Sequence, residues 1–130
     1  MFAHRMKFIA KGFRLIQRML FCCDIPYQAK IDNTVHFDHN GLGVVIRVVI
    51  NPRVSIGGGS EIQHSVTIGE LASQGGTPKI GKNVYVGARA VILGDLIIGD
   101  NAKIGAGALV LSDVPAGATA VGVPARIIVE

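Results

Sequence analysis

Ionisable side chains gather between Asp24 and Asn40. Carboxylates stand at Asp24, Asp32 and Asp38, and two imidazoles at His36 and His39. An imidazole held beside a carboxylate can take a proton from a hydroxyl near neutral pH. The run His39-Asn40-Gly41 also reads as a turn, in which a histidine is structural. On the residues alone both readings stand. His64 is open in the same way, between a hydrogen-bonded surface histidine and a second group at a site. The four histidines, at 4, 36, 39 and 64, do not have the spacing of a zinc ligand set. Cys22 and Cys23 are adjacent, and neighbours rarely bridge. They read as two small apolar residues at a helix end. No metal is expected.

A repeat must position these groups. Ile50, Ile56, Ile62 and Ile68, then Ile80, Val86, Ile92, Ile98, Ile104 and Val110, fall on a step of six with one loop skipped. All ten are Ile or Val, in a chain with 16 Ile and 15 Val among 130 residues. Glycine follows the rung at 57, 69, 81, 87, 99 and 105, where a corner would need angles that a Cβ disfavours. Four places after the rung the residue is small or β-branched: Val54, Ser60, Val66, Val84, Ala90, Ala102 and Ala108. A period of six fits neither helix nor plain strand. It predicts a single-stranded parallel β-helix, an all-β fold in which three hexads close one coil of about 18 residues. The aliphatic rungs would point inward and stack.

Two places depart from the step. Val44-Val45-Ile46-Arg47-Val48-Val49-Ile50 repeats its apolar triplet after four residues, an extra triplet that the period does not explain. Residues 70–79, Glu-Leu-Ala-Ser-Gln-Gly-Gly-Thr-Pro-Lys, form the one insertion in the ladder. The loop is expected to take the place of one hexad, keep the register, and carry function. Gly87-Ala88-Arg89-Ala90 and Gly105-Ala106-Gly107-Ala108 should stack one coil apart. They would form either plain corner packing or a groove in which an extended ligand lies close to backbone.

The formal charge is +4. Residues 1–20 hold Arg5, Lys7, Lys11, Arg14 and Arg18 and no acid, while the rest holds eight Lys/Arg against nine Asp/Glu. The basicity is local, so no nucleic-acid partner is expected. Residues 1–23 read as an amphipathic basic helix ending before Pro26. On a helical wheel Phe2, Met6, Ile9, Phe13, Ile16 and Leu20 fall in one arc, with Lys7, Lys11, Arg14 and Arg18 opposite. The apolar arc would pack on the β-helix or a neighbouring subunit, or lie on an anionic membrane surface. No apolar run reaches the ~20 residues of a membrane span, and no secretory signal is evident. The expected location is cytoplasmic, at the inner membrane surface if the helix meets lipid.

Residues 24–130, with the loop 70–79, resemble the hexapeptide-repeat acyltransferases, above all the serine O-acetyltransferase branch and its short polysaccharide-acetyltransferase relatives. The resemblance rests on Asp24-Ile25, Asp38-His39, Gln63-His64-Ser65-Val66-Thr67-Ile68-Gly69, Pro78-Lys79-Ile80-Gly81, Val86-Gly87-Ala88-Arg89-Ala90, Lys103-Ile104-Gly105-Ala106-Gly107 and Val121-Gly122-Val123-Pro124-Ala125-Arg126. It implies a left-handed coil, against the usual right-handed parallel crossover. It also implies a homotrimer with active sites between subunits, and acetyl transfer from acetyl-CoA to a hydroxyl acceptor. His39 is implied as general base and Asp24 as its orienting carboxylate. Gly69, Ala88 and Ala106 are implied to line the CoA strip, with Lys103 nearby. No metal and no acyl-enzyme enter this chemistry.

The chain also departs from the serine enzymes. Their loop carries an Arg-His pair just before the proline, whereas this one reads Gly75-Gly76-Thr77-Pro78. Their large helical N-terminal domain is not matched, and the interval from His39 to His64 is longer than theirs. The acceptor stays open between serine and a sugar of a surface polysaccharide. A catalytically inactive trimeric scaffold, or a membrane-associated assembly module, is the competing class.

Overall fold

The computed structural model describes residues 2–21, 28–37, 49–73 and 75–128. The chain opens with α1 (Phe2–Phe21). Among the described residues fourteen short strands follow: β1 (Lys30–Ile31), β2 (His36–Phe37), β3 (Val49–Ile50), β4 (Ser55–Ile56), β5 (Glu61–Ile62), β6 (Thr67–Gly69), β7 (Lys79–Ile80), β8 (Tyr85–Val86), β9 (Val91–Leu93), β10 (Ile97–Ile98), β11 (Lys103–Ile104), β12 (Leu109–Val110), β13 (Thr119–Val121) and β14 (Arg126–Ile128). They form three sheets. The first wall runs β1-β4-β7-β10, the second β2-β5-β8-β11-β13-β14, and the third β3-β6-β9-β12. Every pairing is parallel except β13 with β14. Successive hexads therefore occupy successive walls, and each rung stacks on its counterpart one coil away. This is a three-walled parallel β-helix preceded by one helix.

The strands of the coil alternate as a pleat requires, whereas β14 is exposed along its length. Glu61, Tyr85 and Lys103 face out, and Ile62, Val86 and Ile104 face in. All ten rungs of the six-step are at most 4% exposed. The second inward position, four places on, is buried as well, including Ser60. Its hydroxyl donates to the Gly81 carbonyl at 3.0 Å and accepts from the Val84 amide at 3.1 Å, so the one serine in the column is satisfied.

The walls show what the insertions do. Ile56 pairs with Ile80, Ile62 with Val86, and Ile68 with Ile92. Each of these coils is 24 residues long, not 18, so the loop 70–79 does not stand in for a wall. It is extra chain at the corner between β6 on the third wall and β7 on the first. In the first coil Phe37 lies on the second wall and Ile50 on the third, thirteen positions apart where six are ordinary. The additional residues are within 38–48, so the Val44–Ile50 doubling falls largely outside the described residues. At the far end, the chain that leaves the six-step turns back. β14 runs antiparallel on β13, and the Gly122 carbonyl and Ala125 amide bond the backbone of Leu109 at 3.0 and 2.8 Å. The last coil is thereby covered.

The corner glycines serve a different purpose from the one expected. Positive φ occurs three places after the rung, at Gly59, Asn83, Asn101 and Gly117 on one corner and Ser65, Arg89 and Gly107 on another. The glycines directly after the rung are required by distance. A Cβ on Gly57 would sit 2.6 Å from the Gly81 carbonyl oxygen, and one on Gly87 2.5 Å from the Ala106 nitrogen. Neighbouring coils approach too closely there for any side chain. Gly69 is the exception, since a Cβ would meet only Leu93 Cδ2 at 3.7 Å. Gly87→Ala is therefore expected to lose about 1–3 kcal/mol in denaturant unfolding, by forced displacement of backbone. Gly69→Ala should stay within about 1 kcal/mol of the parent. Equal losses at the two positions would contradict this account.

Candidate active site at the corner between the second and third walls

Ile62, Val86 and Ile104 are paired rungs of the second wall. Two residues after each come His64, Ala88 and Ala106, stacked at the turn into the third wall. Hydrogen bonds tie these turns together. The Arg89 amide donates to the His64 carbonyl at 2.9 Å, and the Gly107 amide donates to the Ala88 carbonyl at 2.8 Å. Ser65, Arg89 and Gly107, next in line, share left-handed φ values of 59, 61 and 70°. A half-buried imidazole thus stands at one end of a ridge of tiny side chains. Ala106 and Gly107 are exposed, and Ala88 is half-buried.

The ridge borders the third wall. Its outward residues, Val49, Thr67, Val91 and Leu109, lie in one register row and carry no charge. The other walls differ. The first presents Lys30, Ser55, Lys79 and Ile97; the second presents His36, Glu61, Tyr85, Lys103 and Thr119. All four outward residues of the third wall are half-buried.

Of the expected donor-strip residues, Ala88 and Ala106 come together directly. Lys103 is exposed on the outer face of the second wall, between Tyr85 and Thr119. Gly69 ends β6 at the opposite edge of the third wall, where its carbonyl accepts the Gly94 amide at 3.1 Å. Ala88 and Ala106 thus lie at one edge of the third wall and Gly69 at the other, while Lys103 is on the second wall, so the four do not form a single line. Asp24 and His39 lie outside the described residues. Phe37 pairs with Ile62 and is the last described position before His39. Arg89 was not singled out from the sequence as a site residue. It is an exposed cation on the ridge, signalled only by being the one long side chain where the next coil has Gly107.

The loop lies across the third wall from the ridge. Thr77 is buried, and its hydroxyl donates to the Arg53 carbonyl at 3.1 Å. The Arg53 guanidinium meets Glu70 Oε2 at 2.8 Å, in a pair whose side chains are 63% and 37% exposed. Among the described residues Asp32 is the titratable group with a displaced pKa. The Thr34 hydroxyl, then the Thr34 amide, hydrogen-bond its carboxylate and hold it below the usual range. That turn lies between the first and second walls and belongs to the coil, away from the ridge. Among the described residues no three His, Cys, Asp or Glu side chains converge as a metal set.

The chain matches the family model described as bacterial transferase hexapeptide (six repeats) over residues 77–112. It is similar to the solved soybean serine acetyltransferase complexed with serine, at 42% identity over 92% of this chain and 48% of that one, with a TM-score of 0.81. Residues 77–112 are thus hexapeptide repeats of the bacterial transferase type. The Neisseria gonorrhoeae serine acetyltransferase aligns at 37% identity over 98% of this hexapeptide-repeat chain and 48% of its own, with a TM-score of 0.85. A serine acetyltransferase solved in complex with CoA aligns at 36% identity over 98% and 51%, with a TM-score of 0.83. The hexapeptide-repeat chain thus spans about half the length of the solved relatives it matches. No curated protein sequence matches it.

The anchoring of the loop can be tested by two substitutions. Thr77→Val keeps the shape and removes a partly buried hydrogen bond, so it should cost about 0.5–1.5 kcal/mol and speed proteolysis within 70–76. Arg53→Ala removes a solvent-screened pair and should cost no more than about 1 kcal/mol. If Arg53→Ala were the more damaging, the ion pair and not the threonine would hold the loop.

Proposed function

We propose that the protein is an O-acetyltransferase that moves an acetyl group from acetyl-CoA to a hydroxyl acceptor. The observation that carries this reading is the ridge of Ala88 and Ala106 with His64, lying beside an uncharged wall. The likeness to serine acetyltransferases, one of them complexed with CoA, supports it. His39 follows Phe37 by two residues, as His64 follows Ile62, Ala88 follows Val86, and Ala106 follows Ile104. All four thus stand two places after a rung of the second wall in the sequence.

In this reading His39 is the general base. Its neutral imidazole takes the acceptor proton as the hydroxyl oxygen attacks the thioester carbonyl. Asp24 orients the ring and stabilises the imidazolium that forms. The proton then leaves with the CoA thiolate as the tetrahedral adduct collapses. Ala88 and Ala106 let the donor's pantetheine arm approach the backbone, and Gly69 does the same across the third wall. Lys103 and Arg89 supply positive charge for its phosphates. The coil is taken as left-handed, in line with the resemblance of its motifs. The uncharged row Val49, Thr67, Val91 and Leu109 is the face on which subunits of a trimer would meet, with the ridge at the seam. The reading places the protein in the cytoplasm, where acetyl-CoA is available.

Acceptor choice is assigned to the loop. No Arg, Lys or His occurs from Glu70 to Pro78, so the loop offers no cation to an amino-acid carboxylate before Lys79. A sugar hydroxyl needs no such anchor. The thirteen-residue step from Phe37 to Ile50 beside His39 favours a second reading, an inactive trimeric scaffold, which would neither bind CoA nor release thiol from acetyl-CoA.

Thiol release from acetyl-CoA, with L-serine and a panel of sugars as acceptors, tests the assignment. His39→Ala should lower kcat by about 10²–10⁴-fold with the melting temperature nearly unchanged. A large drop in melting temperature with activity retained would make His39 structural. Ala106→Leu should raise the KM for acetyl-CoA at least about tenfold, by filling the ridge, and change kcat less. An unchanged KM would remove the ridge from the donor site.

A further inference from the structure

The described large apolar side chains of helix α1 are uncovered. Phe8, Ile9, Phe13, Leu15, Ile16 and Met19 are between 53% and 78% exposed. None joins the buried core, which begins on the coil. The expectation that this helix packs on the β-helix is therefore not met by these side chains. On the helical wheel Phe8, Leu15 and Met19 fall beside the arc of Ile9, Phe13 and Ile16, so the apolar sector covers about half the circumference, with Arg5 the one cation inside it. Lys7 and Lys11 are also exposed and fall in the remaining sector, with Arg14 and Arg18 at the same side of the wheel. Residues 1–20 contain five cations and no acid.

We propose that α1 lies flat on an anionic lipid surface, with its apolar half at the acyl boundary and its cations among the headgroup phosphates. Charge selects this occupant. Pairing α1 with the same helix of a second copy would gather cations with no carboxylate on either helix to balance them. The coil offers no compensating excess, since residues 21–130 hold eight Lys/Arg and nine Asp/Glu. An anionic bilayer supplies both the apolar phase and the counter-charge. The helix does not cross the bilayer, because no described helix is long and apolar enough to span it. At about 1.5 Å per residue its twenty residues instead lie along the surface for about 30 Å. The inference does not depend on the acetyltransferase reading.

The test is flotation of the full chain with vesicles of phosphatidylcholine alone and of phosphatidylcholine mixed with phosphatidylglycerol, at low and high salt. The protein should float with the mixed vesicles, less so at high salt, and poorly with phosphatidylcholine alone. Phe8→Ser/Phe13→Ser should cut the floated fraction about tenfold. Lys7→Glu/Lys11→Glu should abolish the preference for phosphatidylglycerol. Both variants should keep the parent's unfolding transition, because neither pair belongs to the core. Binding of CoA in the same preparations is a separate readout of the donor site. Failure of the parent to float with mixed vesicles would overturn the proposal. So would flotation undiminished by Phe8→Ser/Phe13→Ser. A lowered oligomeric mass in that variant, with no flotation of the parent, would assign the apolar half to a second copy of the chain.

Discussion

The stacking of one aliphatic residue on another, coil after coil, is the contact on which everything else in this molecule depends. Strands that pair lie about 4.7–4.9 Å apart, so rungs such as Ile62, Val86 and Ile104 touch along the axis of a dry column. The backbone must turn three times per coil at that same spacing. The turn glycines are the consequence, because Gly57 and Gly87 face the backbone of the next coil at distances that leave no room for a Cβ. The ridge of Ala88 and Ala106 stands one residue beyond Gly87 and Gly105 in the same turns, and there the side chains are small by residue type and not by clearance, since a Cβ on Gly107 would meet nothing.

The column also decides where the chain can grow. An extra residue inside a strand would turn the rung outward, whereas extra residues at a corner leave the ladders paired. The additions obey this. The loop 70–79 leaves the coil after β6 and rejoins at β7, and Ile56 still pairs with Ile80. The additional residues of the first coil lie between Phe37 and Ile50, and both of those rungs still pair. One addition stands at each edge of the third wall. The repeat supplies a rigid frame, and the chain's individuality is carried at the borders of the wall that bears no charge.

Charge is divided in the same way. The coil is close to neutral, with eight Lys/Arg against nine Asp/Glu in residues 21–130. Helix α1 holds the surplus cations, and its described large apolar side chains are exposed and do not join the column.

Much of this was legible in the residues. The six-step, the ten buried rungs and the small second inward positions follow from side-chain type alone, because a two-residue strand with a tight corner admits no other inward residue. The stacking of Ala88 and Ala106 was legible for the same reason, lying a whole coil apart without an insertion between. Other features needed the assembled coils. Sequence spacing could not say whether the loop stands in for a wall or adds to a coil, since both keep the count a multiple of six; the pairing of Ile68 with Ile92 decides it. Nor could it separate glycines needed for their backbone angles from those needed for clearance. Clearance is set by the neighbouring coil, 18 or 24 residues away, which local pattern does not see. Gly69 shares the local signature and has room for a side chain, because Leu93 and not backbone lies over it. The periodic pattern determined what faces inward, and the cumulative path of the chain through its insertions decided what lies beside what.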